Sequence, residues 1–211
     1  MGHLMADKIR LLLLWLCLLA FSVLVTIYGA WLCYPFEVDL LKINHMVYMT
    51  KSSILYNFNG LMDYLTNPFR TQLTFASFAA SKEGLAHFKD VKGLFHLTQV
   101  IFILSLYPSY RFLKTIRKAK AWPLYRHNFL LALLLPLIIA LFAYLIGFDH
   151  FFILFHHILF PGKTNWSFDP LTDPIIWILP ETFFMHCFIG FLVVYEAVFL
   201  SLYFKSRSKV K

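Results

Sequence analysis

The sequence predicts an all-α membrane protein with four transmembrane helices. Of its 211 residues, 60% are hydrophobic, 19% are aromatic and 14% are charged, whereas a soluble domain is about half apolar and about a quarter charged. Four apolar stretches each reach the ~20 residues needed to cross a bilayer core of about 30 Å. The net charge of +8 does not indicate nucleic-acid binding, because Lys and Arg set the orientation of membrane proteins.

The four spans place the chain in a single membrane domain over residues 1–211. The first span has no charged residue and is too long for the apolar region of a signal peptide, so we expect it to stay uncleaved. Pro136 falls inside the third span, where a membrane helix tolerates it. The predicted divisions are spans 11–33, 94–113, 129–148 and 180–204, longer segments 34–93 and 149–179, and a short loop 114–128.

The distribution of positive charge predicts the orientation. The two termini and the loop between Arg111 and Arg126 carry twelve of the 19 Lys and Arg residues. The positive-inside rule then places both termini in the cytoplasm and both longer segments outside the cell. We therefore call segments 34–93 and 149–179 the first and second outer segments.

The first outer segment is predicted to form a small extracellular subdomain. A helix begins after Ser52-Ser53 and ends at Asn67. Residues 72–78 alternate loosely between polar and apolar, which is compatible with one or two short strands. Ser81 is a candidate N-cap for the helix that carries His87 and runs into the second span. The apolar stripe of the first of these helices consists of Ile54, Phe58, Leu61, Met62 and Leu65.

The second outer segment begins with a short, aromatic helix. Asp149 is a candidate N-cap, and Pro161-Gly162 stops the helix. Its phenylalanines favour a position along the membrane interface. Trp166 suits the aromatic belt of that interface, and Asp173-Pro174 is typical of a turn or a helix start.

Seven of the nine histidines fall on or near the outer side. An imidazole titrates near neutral pH, so histidine is the usual proton shuttle. His87 from one outer segment and His156 or His157 from the other could meet over a lipid-facing cavity, which suits acyl transfer at the outer leaflet. Asp90 lies one turn after His87 and could orient it. For the other outer histidines we expect hydrogen-bonding roles: His45, His96, His150 and His186.

Two other functions fit parts of the pattern. The histidines and nearby acids could bind zinc in a metal-dependent lipid or peptide hydrolase, although the HExxH motif is absent. His96 and His186 lie on different spans and could hold a haem between four helices. No motif beyond these two residues supports the haem interpretation.

Three blocks of sequence resemble a bacterial membrane family. They read S-K-E-G-L-A-H-F-K-D-V-K-G-L-F, F-H-H-I-L-F-P-G-K-T-N-W-S-F-D-P-L-T-D-P and L-P-E-T-F-F, and together they resemble the lipoprotein intramolecular transacylases of Gram-positive bacteria. The resemblance implies a diacylglyceryl-modified lipoprotein as substrate and membrane lipid as surroundings. It also implies transfer of the sn-2 acyl chain to the α-amino group of the N-terminal cysteine, giving the lyso-form lipoprotein.

The resemblance also assigns residues to this chemistry. An α-amino group has a pKa of about 7.7–8.0, so it needs a base before it attacks an ester. His87 is the expected base, and His156 would stabilise the oxyanion or protonate the glyceryl oxygen. His157 is the alternative to His156, and which histidine acts as base stays open. No metal or soluble cofactor is expected, and the oligomeric state stays open. The supporting residues would be Asp90, Lys92, Asp149, Trp166 and Asp173.

Overall fold

The computed structural model describes the backbone of residues 2–207 and the side chains of residues 7–207. Over that range the protein is all-α, as predicted. Lys209 and Lys211, which contribute to the charge distribution, lie outside the described residues. The α-helices are α1 (Gly2–Leu40), α2 (Ile43–Val47), α3 (Lys51–Thr66), α4 (Lys82–Lys118), α5 (Arg126–Ile146), α6 (Phe148–Leu159) and α7 (Glu181–Ser206), and two 3-10 helices cover Trp122–Tyr125 and Pro174–Ile178.

Four helical segments in the described chain are long and apolar enough to cross a membrane, which confirms the predicted number of spans. Each is longer than the predicted span. Helix α4 has 37 residues and so exceeds the ~20 that a bilayer core requires. It joins the polar stretch after Ser81 to the second span without a break. The four segments are Asp7–Leu40, Lys82–Lys118, Trp122–Ile146 and Glu181–Ser206.

One compact unit combines the first part of α1 with residues Thr98–Ile146 and the chain from Phe188 onward. Its core contains Leu14 of α1, Phe129 of α5 and Phe199 of α7, which are all fully buried. Its outer faces carry many exposed large apolar side chains. Such a surface is unfavourable in water, whereas hydrocarbon solvates it well.

The other compact unit comprises Ile27–Leu97 and Gly147–Cys187. Tyr34 of α1 stacks on Phe58 of α3 with ring centroids 3.5 Å apart and meets the edge of Phe183 of α7. The Tyr34 hydroxyl donates to the carbonyl of Ile178. This aromatic cluster joins three helices of the unit, and the predicted apolar stripe of α3 is buried throughout.

Residues 72–78 do not form the strands that the alternation suggested. The structure assigns no strand anywhere between residues 2 and 207. Instead, the Ser77 backbone N–H donates to the side-chain carbonyl of Asn57 at 3.2 Å, and the Asn57 amide donates to the Ser77 hydroxyl at 3.1 Å. The side chain of Asn57 in α3 thus provides hydrogen bonds to this segment that a neighbouring strand would provide in a sheet.

Helix α6 begins one residue before Asp149, so Asp149 is not its N-cap. Gly147 occupies that position with a φ of 85°, a conformation that favours glycine because it has no Cβ. The chain can therefore leave α5 at Ile146 and restart as a helix at Phe148. The Asp149 carboxyl shares a hydrogen bond with the carboxyl of Glu181.

Candidate active site

His87 is buried near the start of α4, with 5% of its surface exposed. Ser81 caps this helix as predicted, because its hydroxyl accepts from the Gly84 N–H at 2.9 Å. Asp173 adds a second cap from the other outer segment: its carboxylate accepts from the Ser81 N–H at 2.7 Å. As predicted, Asp173 starts a short helix, the 3-10 helix Pro174–Ile178, but its side chain does not cap that helix. The carboxylate instead holds the first turn of α4, the helix that carries His87.

His156 is buried on α6, with 8% of its surface exposed. Its Nδ1 lies 2.7 Å from the carbonyl oxygen of Phe152. A carbonyl can only accept, so Nδ1 must carry the proton, which leaves a lone pair on Nε2 of the neutral ring. His156 is therefore held in a tautomer that can accept a proton at Nε2.

The structure brings His87 and His156 together, with ring centroids 5.8 Å apart. Phe160 and Phe168 pack against His87 with centroid distances of 5.0 and 5.6 Å. The Nδ1 atom of His87 is buried without a hydrogen-bond partner among the described residues. The pair is thus enclosed by aromatic side chains, which we call the aromatic pocket, and one of its ring nitrogens has no hydrogen-bond partner within the described chain.

Trp166 separates the two candidate histidines of α6. Its ring stacks on His156, with centroids 5.0 Å apart and planes 28° from parallel. His157 is exposed and meets the same indole edge-on at 5.2 Å. The indole N–H donates to the Lys163 carbonyl at 2.9 Å, which fixes the ring in place.

The environment of His156 favours its neutral form. Burial lowers the pKa of His156 below that of an ordinary imidazole, and the neighbouring His157 lowers it further. The hydrogen bond to Phe152 opposes this shift. At neutral pH, the His156 ring is therefore neutral, and its Nε2 lone pair can accept a proton.

Asp90 binds the second outer segment. Its carboxylate accepts from Lys163 Nζ at 2.6 Å and from the Asn165 amide at 3.2 Å. The sequence predicted that Asp90 would orient His87 directly, but the structure places its oxygens on the segment that carries Trp166. Asp90 can therefore affect the orientation of the histidine pair only through the segment that carries Trp166.

Lys92 reaches away from the histidines. Its Nζ donates to the carbonyls of Asn67, at 3.0 Å, and Arg70, and lies 4.3 Å from the ring centroid of Tyr64. These contacts secure the chain that follows α3. Asp149 contacts Glu181, which joins the first turn of α6 to the first turn of α7.

Sequence reasoning missed Gly84, Asn165 and Phe168. A Cβ on Gly84 would lie 2.8 Å from Asp173 Cγ and 2.9 Å from Phe168 Cε1, distances that real Cβ atoms essentially never show. Gly in a helix costs about 1 kcal/mol relative to Ala, so its place in the first turn was a usable signal of close approach. No comparable signal distinguished Phe168 from the other 23 phenylalanines.

The residues of the two other predicted functions have different partners. His186 Nδ1 lies 2.9 Å from the Glu37 carboxylate, and His96 hydrogen-bonds to the backbone of Leu65. Both contacts match the hydrogen-bonding roles expected for these histidines. Among residues 7–207, no group of three His, Cys, Asp or Glu side chains converges as metal ligands would.

Comparison with known proteins now gives the family. The family model described as "Lipoprotein intramolecular transacylase Lit" matches residues 8–184. The chain belongs to the lipoprotein intramolecular transacylase family. It is therefore an acyltransferase and a multi-pass membrane protein. No curated protein sequence matches the chain.

Solved structures of this transacylase family share the fold. The in meso structure of Lit from Bacillus cereus has 31% sequence identity and a TM-score of 0.83, and covers 96% of this chain and 94% of its own. Two variants of that protein, with a histidine replaced by arginine or by alanine, have 30% identity. The arginine variant has a TM-score of 0.78 and covers 98% of this chain and 92% of its own; the alanine variant has 0.79, 98% and 93%.

Proposed function

We propose that His87 and His156 move the sn-2 acyl chain of a diacylglyceryl-modified lipoprotein to the α-amino group of its N-terminal cysteine. The observation that carries this proposal is the buried pair, with ring centroids 5.8 Å apart, in which the hydrogen bond to Phe152 sets the tautomer of His156. Nucleophile and ester belong to one molecule, so a pocket that holds both in place supplies much of the rate.

The tautomer of His156 supports a division of roles. Neutral His156 has a free lone pair on Nε2 and accepts the proton of the attacking amine. Neutral His87 donates an N–H to the oxyanion that develops on the ester carbonyl. This reverses the first assignment, in which His87 was the base, because a His156 ring that donates from Nδ1 cannot also donate from Nε2 while neutral.

The reaction balances with one proton shuttle. The amine nitrogen forms a bond to the acyl carbon as His156 takes its proton, and the bond from that carbon to the glyceryl oxygen then breaks. His156 returns the proton to the glyceryl oxygen, so both histidines end as they began. The products are the amide at the cysteine nitrogen and a free hydroxyl on the glyceryl group.

Fragmentation mass spectrometry tests the assignment. Transfer within one molecule leaves the intact mass unchanged, so fragments must locate the acyl chain on the amine or on the glyceryl group. We expect wild-type protein to place it on the amine. His87→Ala and His156→Ala should lose at least about 100-fold in rate, whereas His157→Ala should stay within a few-fold of wild type. Activity that depends on His157 and not on His156 would overturn the assignment.

The positive-inside rule supports an orientation for this site. Both termini would lie in the cytoplasm, with the histidine pair and α6 at the outer leaflet. An impermeant thiol reagent applied to intact cells tests this placement. Single cysteines introduced at Leu171 and at Arg207, in a background without native cysteines, should react at Leu171 alone. Labelling at Arg207 alone would reverse the topology.

A further inference from the structure

His156 lies inside a cage of aromatic side chains. Three phenylalanine rings and one tryptophan ring surround its imidazole at centroid distances of 4.3 to 6.0 Å: Phe152, Phe155, Phe160 and Trp166. Trp166 presents its face to the imidazole, because the two planes are only 28° from parallel at a centroid distance of 5.0 Å. One side of the His156 ring is therefore covered by the π face of an indole.

No carboxylate accompanies this imidazole. Within the described chain, His156 forms no ion pair with an Asp or Glu side chain, and its Nδ1 donates to the Phe152 carbonyl instead. His186 shows the alternative arrangement, because its Nδ1 lies 2.9 Å from the Glu37 carboxylate. A buried charge normally has a partner that compensates it. Any positive charge on His156 must therefore be stabilised by groups other than a carboxylate of this chain.

The proposed reaction places a positive charge on this ring during each cycle. As the amine attacks, an N–H bond of the amine breaks and an Nε2–H bond forms on His156. The ring is then an imidazolium until it returns the proton to the glyceryl oxygen. Burial disfavours this charged form. An interaction that is stronger with the imidazolium than with the neutral ring therefore raises kcat.

We propose that the π face of Trp166 stabilises the imidazolium form of His156 during acyl transfer, an inference that rests on the proposed function. A cation over the face of an aromatic ring, within about 6 Å of its centroid, is attracted by the ring quadrupole, and tryptophan gives the strongest interaction. Trp166 meets this condition, and its indole N–H is bound to the Lys163 carbonyl at 2.9 Å. Trp166 exchanges no atom with the substrate, so it is a positioning residue that acts through His156.

Fluorinated tryptophans introduced at position 166 alone test the proposal. Each fluorine withdraws electron density from the indole face, while the ring keeps nearly its size and its N–H. In the series from tryptophan through mono- and difluorotryptophan to trifluorotryptophan, kcat should fall stepwise by roughly tenfold in total. KM should stay within about twofold of wild type, because the neutral ring that meets the substrate is little affected.

The pH profile of kcat separates charge stabilisation from packing. Each fluorine makes the imidazolium less stable relative to the neutral ring, so the pKa of His156 should fall. The acid limb that belongs to His156 should then move to lower pH, by up to about one pH unit. The limb that belongs to the substrate amine should not move. A lower kcat with an unmoved His156 limb would show a packing effect and overturn the proposal.

Trp177 provides the matched control. Its side chain is 49% exposed, and it is not one of the rings packed around His156. The same fluorinated series at position 177 should leave kcat within about twofold of wild type. Equal falls in kcat at the two positions would indicate a general effect of fluorination and overturn the role of Trp166.

The series also distinguishes this inference from the proposed function. Equal kcat values for all four residues at position 166 would overturn the inference and leave the transacylase reaction intact. A wild-type protein that forms no N-acylated product would instead overturn the proposed function, and this inference with it. A stepwise fall in kcat together with a shift of the His156 limb to lower pH would support both.

Discussion

His156 and His157 are neighbours in sequence, but their rings occupy different environments. Trp166 lies against both, and only His156 is buried and in contact with His87. The carbonyl of Phe152, one helical turn earlier, fixes the proton on Nδ1 of His156. Burial and the contact with His87 therefore distinguish His156 from His157, and the hydrogen bond to Phe152 gives the buried ring a lone pair on Nε2.

The rate should depend on pH through His156. Burial lowers the pKa of His156 below 6.5, so the base stays neutral at pH 7. Its protonation should add a further fall in kcat, beyond that caused by protonation of the substrate amine, as the pH drops through that lowered value. The His157→Ala variant removes a neighbouring positive charge that also lowers the pKa. Without that charge the pKa of His156 should rise, so the acid limb of the kcat profile of this variant should move to higher pH. A profile of kcat against pH for both proteins measures the shift, and a shift to lower pH would contradict the account.

Gly84 should resist substitution. In Gly84→Ala, the new Cβ would meet Asp173 and Phe168, so we expect a loss of about 1–3 kcal/mol in the free energy of unfolding together with reduced activity. Gly60→Ala is the matched control, because nothing lies within 4 Å of its Cβ. That change in α3 should stabilise the protein by about 0.5–1 kcal/mol. Thermal unfolding in detergent compares them, and equal melting temperatures would contradict the close approach.

At the level of elements, the second outer segment is held against α4 at two points. Asp173 binds Ser81, which caps the first turn of the helix. Further along α4, Asp90 binds Lys163 and Asn165. Trp166 and Phe168 lie between these attachments along the chain. The aromatic wall of the pocket is therefore positioned by hydrogen bonds from α4 at both of its ends.

Asp90→Ala should affect activity more than stability. Lys163 is 48% exposed and Asp90 24%, so their ion pair contributes at most about 1 kcal/mol to the free energy of unfolding. Releasing the segment, however, should misplace Trp166 and lower the rate roughly tenfold, with partial recovery in Asp90→Asn. The control Asp39→Ala removes another 2.6 Å ion pair, with Lys51, and should leave the rate unchanged. Equal losses in the two alanine variants would contradict a positioning role.

At the level of the whole molecule, the apolar exposed faces should lie in lipid. Leu104 lies within the second predicted span and is 72% exposed, so Leu104→Arg would place a charge in hydrocarbon at a cost of about 2.5–3.5 kcal/mol. We expect less protein in the membrane fraction. Leu171→Arg changes a residue that is 91% exposed but outside the four spans, and should be tolerated. Equal membrane yields for the two variants would contradict this placement of α4.

Much of this architecture could be predicted from hydropathy and helix signals. The spans, the stripe of α3 and the Ser81 cap depend on local periodicity, which a sequence displays directly. Two other features could not be predicted, because they join residues more than 70 positions apart. They are the hydrogen bonds of Asp90 to Lys163 and Asn165 and the capping of α4 by Asp173. The tautomer of His156 likewise depends on the Phe152 carbonyl, whose direction follows from the folded helix alone.

A crossover experiment tests the central claim most directly. One substrate carries deuterated acyl chains and an ordinary peptide, and the other carries ordinary acyl chains and an isotopically heavy peptide. The two are mixed in equal amounts with wild-type protein, and mass spectrometry identifies the N-acylated products. Transfer within one molecule predicts only the two parental combinations of acyl chain and peptide. The His156→Ala variant should form neither product. Products that pair deuterated chains with heavy peptide would contradict intramolecular transfer at the histidine pair.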